Sequence, residues 1–67
     1  MRIEIDRSEY RWTHGKDPRG FGGWMFDIIS NNGYVLREMA TGTYGDALKV
    51  AKATARRTGG RIIRVLG

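Results

Sequence analysis

Residues 42–66 read GTYGDALKVAKATARRTGGRIIRVL, and this stretch decides the fold. Thr43, followed three residues on by Asp46, resembles a capping box. The hydroxyl can take an orphan amide of the first turn, and the acid suits the positive end of the helix dipole. Ala47, Ala51 and Ala55 recur four residues apart, and Tyr44 and Leu48 widen the same apolar stripe. A helix is therefore predicted to Thr58, with Gly59 as the residue just past its end. Small alanines let that helix lie close to a sheet. Residues 61–66, RIIRVL, carry apolar side chains on both faces and predict a last strand that buries best when central or covered on both sides.

Upstream, residues 24–30 (WMFDIIS) alternate Trp24, Phe26 and Ile28 with Met25, Asp27 and Ile29, the period of a strand. Asn31-Asn32-Gly33 predicts a tight turn, since these residues accept positive φ cheaply. Residues 34–39 then read as the returning strand and residues 40–44 as a connection. At the start, Ile3 and Ile5 alternate with Arg2, Glu4 and Asp6, which predicts a half-buried strand. Tyr10 and Trp12 continue an alternation with Glu9 and Arg11, so the strand is either long or broken near Ser8. Residues 13–23, THGKDPRGFGG, hold four of the ten glycines and the only proline. They predict a flexible loop, long enough to be of the kind that carries function or stays disordered. The expectation is one small α+β domain over residues 1–67. Its order is β-β-β-α-β, with a mostly antiparallel sheet of three to four strands and one helix on one face.

Charge is segregated along the chain. Residues 1–46 hold all seven acids and six bases, whereas residues 47–67 hold Lys49, Lys52, Arg56, Arg57, Arg61 and Arg64 and no acid. Lys49, Lys52 and Arg56 stand at i, i+3 and i+7 and so share one helix face. Unopposed cations raise a local positive potential, for which nucleic acid is the default partner. The plainer alternatives are a solvated face that aids solubility, and, for Arg56 and Arg57, compensation of the helix dipole. In the loop, Lys16 and Arg19 flank Pro18, with Phe21 close behind. Cations beside an aromatic suit a phosphate backbone and an unstacked base, unless Phe21 folds back into the core.

Chemistry-bearing constellations are sparse. The chain has no cysteine, which excludes disulfides, thiolate metal sites and cysteine nucleophiles. His14 is the only histidine, with Asp17 nearby and no other ligand type clustered about it. Ser8 and Ser30 have no spacing that suggests a triad. GFGG at residues 20–23 lacks the lysine and hydroxyl of a phosphate loop and precedes a strand rather than a helix. Glu4, Asp6 and Glu9 are read as cross-strand partners for arginines. No catalytic residue, metal or cofactor is expected, and the chain is expected not to be an enzyme. No apolar run suits a membrane, and the acids in MRIEIDRSEY are unlike a signal peptide, so a cytoplasmic location is expected.

Residues 23–60, from GWMFDI through a hairpin turn to GTYGDALKVAKATARRTGG, resemble the three-stranded-sheet-plus-helix DNA-binding domains of ethylene-response factors and integrase arm-binding domains. Trp24, Gly42-Thr43-Tyr44 and Ala47/Ala51/Ala55 stand where those families place an early strand Trp, a Gly-Thr-aromatic step and an Ala-rich helix. The resemblance implies that the sheet would enter the major groove, with Arg11, Trp12 and Arg37 touching DNA. Glu4, Asp6 and Asp27 depart from that pattern, as does the last strand. The chain is also similar to small phage and bacterial domains made of a hairpin, a helix and a last strand, which imply no function.

The expected function is that of a small nucleic-acid-binding accessory protein of phage or mobile-element type, with DNA favoured over RNA. Lys49, Lys52, Arg56, Arg57 and Arg61 would contact phosphates, with Lys16 and Arg19 as a second arm. The alternative is a non-enzymatic modulator, such as a phage-encoded inhibitor of a host enzyme or nuclease complex. It would act on an acidic host protein through the 13–23 loop or an apolar sheet face formed by Met25, Ile29 and Met39. A homodimer paired along a sheet edge is a third option.

Overall fold

The computed structural model describes residues 2–66. In chain order the elements are β1 (Glu4–Asp6), α1 (Ser8–His14), β2 (Phe21–Ser30), β3 (Val35–Thr43), α2 (Tyr44–Thr58) and β4 (Gly60–Leu66). They form one four-stranded sheet in the order β1-β4-β2-β3. β2 pairs antiparallel with both β3 and β4, whereas β1 pairs parallel with β4. The α+β class stands. Two features differ from expectation: the sheet is mixed rather than mostly antiparallel, and there are two helices, giving β-α-β-β-α-β. Pairing of β1 with β4 joins residues almost sixty positions apart, and the period of a strand carries no information about such a neighbour.

Tertiary packing follows the period-two pattern. Trp24, Phe26 and Ile28 of β2 and Ile63 and Val65 of β4 are buried on one face, against Ala47, Ala51 and Ala55 of α2. Ile3, Ile5, Tyr44 and Leu48 close the margin of this core. β4 is an interior strand, which accounts for its two-sided apolar character. Close approach of helix and strand is built into Gly60. A Cβ there would collide with the Ile28 side chain and lie 3.1 Å from the Ala55 Cβ.

The helix predicted from residue 44 to Thr58 forms as expected. Thr43 Oγ1 accepts from the Asp46 amide at 3.1 Å, and Gly59 adopts φ 76° while its amide donates to the Ala55 carbonyl. There is no separate connection at 40–44. β3 runs to Thr43, which is at once the last strand residue and the helix cap, with extended φ −70° and ψ 156°.

Residues 8–14 are a helix, not a continuation of the first strand. Asp6 turns the chain, its Oδ1 accepting from the Ser8 amide at 3.0 Å and the Ser8 hydroxyl at 2.6 Å. Tyr10 points into the core and stacks on His14 four residues later, ring centroids 4.1 Å apart. Gly15, at φ 72°, ends the helix with its amide on the Arg11 carbonyl. With only seven residues and one buried side chain, the alternation of Tyr10 and Trp12 mimics a strand. The irregular segment is also shorter than the expected 13–23, spanning only residues 15–20. Gly22 and Gly23 pair with Gly42 and Thr41 as strand residues. Pro18 is buried, Arg11 pairs with Asp17, and the Gly20 carbonyl accepts from the Tyr44 amide at 2.9 Å. The segment is thereby tied to α1 and to the start of α2.

Candidate nucleic-acid interface

The buried residues of α2, Ala47, Ala51, Thr54 and Ala55, fix its inward side. At 3.6 residues per turn, Lys49, Lys52 and Arg56 fall within about 60° of arc on the opposite side. Lys49 and Arg56 are exposed and Lys52 is half-buried. Arg57 stands on the β3 flank of the same helix, exposed. None of these four takes part in an ion pair found among the described residues. Asp46, one turn ahead of Lys49, is the acid of that outer surface.

The other candidate cations are spread more widely. Arg61 follows directly at the start of β4, where its guanidinium donates to the Asn31 side-chain oxygen at 2.6 Å across the hairpin turn. It therefore extends the cationic end of α2 toward that turn while keeping its charge uncompensated. Lys16 and Arg19 are exposed on the segment pinned to the N-terminal end of α2. A 15-residue helix is about 22 Å long, so they stand a full helix length from Arg57 and Arg61. Arg64, the sixth cation of the acid-free segment, is on the opposite face of the sheet, 3.6 Å from Asp6. The carboxyl-terminal cations thus form a helix-borne group, and Arg64 is separate from it.

That opposite face is covered by neither helix, and strand register arranges it in rows. Asp6, Arg64, Asp27 and Arg37 are direct cross-strand partners across all four strands. The row alternates in sign, with Arg37 Nε 3.1 Å from Asp27 Oδ1 and Arg64 paired to Asp6. The Ser8 hydroxyl and amide, with Arg64 beside them, hold the Asp6 carboxyl below the usual carboxylate range. Bonding to Asp27 raises the Arg37 guanidinium further. On one side of this row lie Leu66, Met25 and Met39, and on the other Ile62, Ile29 and Val35. Met39 is 68% exposed and Val35 59%. The sequence places one charged residue at the matching position of each strand, but only the register reveals them as a single row.

Arg37 is thus on the sheet face, as the DNA-binding resemblance would have it, in the company of two carboxylates. Arg11 and Trp12 are on α1 rather than on a strand. Trp12 is 90% exposed, and Phe21, at the start of β2, is 79% exposed. Glu9, expected on a strand, is on α1, while Asp6 does pair with an arginine across strands. Among the described residues, no group of three or more His, Cys, Asp or Glu side chains is placed to hold a metal ion, and no helix is long and apolar enough to cross a membrane. Compared with known proteins, the chain matches no family model, no curated protein and no solved structure.

Proposed function

We propose that the protein binds nucleic acid through the phosphate backbone, using the outer surface of α2, as a small accessory protein of phage or mobile-element type. The observation that carries this reading is the set Lys49, Lys52 and Arg56, gathered on one exposed side of a helix and free of ion pairs within the chain. Arg57 and Arg61 extend the set at its C-terminal end. Lys16 and Arg19 offer a second contact about one helix length away, comparable to the span of several phosphates along a strand. Such contacts position the protein without reading sequence. The sheet is a poorer DNA-reading surface, because its charged row is half acidic.

The test is a binding measurement on random duplex and single-stranded DNA and on RNA, with Lys49→Glu, Lys52→Glu and Arg56→Glu combined. The side chains point to solvent, so the variant keeps its circular dichroism spectrum. It loses binding by two to three orders of magnitude, roughly 0.9 log units per phosphate contact per decade of salt. Unchanged affinity would overturn the reading.

A second reading, a non-enzymatic modulator of another protein, is favoured by the apolar residues flanking the charged row, notably exposed Met39 and Val35. Pull-down from a host lysate with native protein and with Met39→Glu separates it from the first.

A further inference from the structure

We infer that the uncovered face of the sheet is a self-complementary surface on which a second copy of this chain docks face to face. The strands run in the order β1-β4-β2-β3, and the charged row across them reads Asp6, Arg64, Asp27, Arg37. A two-fold axis parallel to the strands, passing between β4 and β2 in the plane separating the two sheets, reverses this row. It sets β3 of one copy over β1 of the other, and β2 over β4. Every cation then meets an anion: Arg37 faces Asp6 of the second copy, and Asp27 faces its Arg64. A two-fold axis running across the strands would set each charge on its own image, so the row selects one orientation. Closed pairs of this isologous kind are the commonest protein assemblies.

The same rotation keeps each apolar row on its equivalent. Leu66 comes over Met25 of the second copy, and Ile62 over Ile29. These contacts remove apolar surface from water, while the charges set register and reject misaligned pairings. Two further observations fit. Trp12, 90% exposed, flanks Asp6 and Arg64 at the β1/β4 corner. At the β2/β3 corner of the same end, Gly23, Met25, Met39 and Thr41 line a shallow depression, open because Gly23 has no side chain. The rotation brings each Trp12 to the depression of the other copy. The basic sides of α2 stay outermost in this pair, so the docking proposal and the nucleic-acid proposal stand or fall separately.

The experiment is sedimentation velocity with light scattering on the full chain across micromolar to millimolar concentration, with tryptophan emission as a second readout. Native protein gives twice the 7.6 kDa chain mass at the upper end, and its emission shifts to the blue as Trp12 is covered. Asp6→Lys and Arg37→Glu, each alone, weaken pairing at least about tenfold, because each sets like charges face to face. An equimolar mixture of the two variants recovers the double mass, since the new lysine then meets the new glutamate and the native Arg37 meets the native Asp6. Should a charge variant fail to fold, Met39→Glu replaces it, a change at an exposed position that weakens pairing and leaves the melting of the diluted chain unaltered. Native protein that stays at single mass overturns the proposal. So do a pair indifferent to these changes and a mixture of folded variants that does not recover.

Discussion

The outer side of α2 and the uncovered side of the sheet carry similar residue types but distribute charge in opposite ways. On α2, Lys49, Lys52 and Arg56 stand together with no ion pair among them. On the sheet, four charges alternate across four strands, in contact as Asp6–Arg64 and Asp27–Arg37. Clustered like charges repel one another and cost stability, so such a group suits a surface that meets an external polyanion. Alternating charges cancel at a distance and act only at short range, which suits a surface that meets a shape-matched face. One chain thereby separates a long-range, salt-sensitive surface from a contact surface, on opposite sides of a single sheet.

Both surfaces depend on the core between them, and removing that core breaks the comparison outright. Phe26 is fully buried at the centre of the covered face. Phe26→Ala is expected to cost about 3–5 kcal/mol, most of the stability of a chain this short, and to show as loss of the cooperative thermal transition. A smaller change acts where helix and sheet meet. Gly60→Ala places a methyl into Ile28 and against Ala55, with an expected loss of about 1–3 kcal/mol in denaturant unfolding. If α2 can shift away, the loss is smaller and the affinity for nucleic acid changes instead, which would show that the cationic group depends on helix placement. Thr43→Ala removes the hydroxyl that takes the Asp46 amide. The expected cost is about 1 kcal/mol, with fraying confined to the first turn of α2 in hydrogen exchange, ahead of Lys49.

The smallest effect belongs to the sheet face. The folded carboxyl of Asp6 titrates below its ordinary 3.8, so its contribution is present above that value and fades as pH falls through the folded pKa. Asp6→Asn therefore flattens the acid limb of melting temperature against pH, below about pH 4. It changes stability at neutral pH by less than about 1 kcal/mol, since the pair with Arg64 is half-exposed.

Much of this arrangement is legible in the sequence where local physics dominates. The alternation at Trp24, Phe26 and Ile28, the turn at Asn31-Asn32-Gly33, the cap at Thr43 and the stop at Gly59 are all local, and each forms as read. The grouping of Lys49, Lys52 and Arg56 follows from helical spacing alone. α1 is not legible. Its two turns bury only Tyr10, and the signals that mark it, Asp6 bonded to Ser8 and the left-handed Gly15, are turn chemistry rather than period. The glycines at 22 and 23 read as loop because nothing local shows that they are paired with Gly42 and Thr41. Least legible is the row on the uncovered face. Each of its four members stands alone in the sequence, and the row exists only through a register joining β1 to β4 and both to the hairpin. For the same reason Arg64 reads as part of the basic group, although it faces the other way and pairs with Asp6.

The account rests on α2 carrying a cation group that no acid of the chain compensates. The salt dependence of DNA affinity tests this most directly, measured for the native chain beside the combined Lys49→Glu, Lys52→Glu and Arg56→Glu variant. The native slope of log affinity on log salt is expected near −3 to −5, about 0.9 per phosphate for three to five contacts, with the variant's slope shallower by about 2.7. A native slope near zero, or the same slope in both proteins, would contradict it.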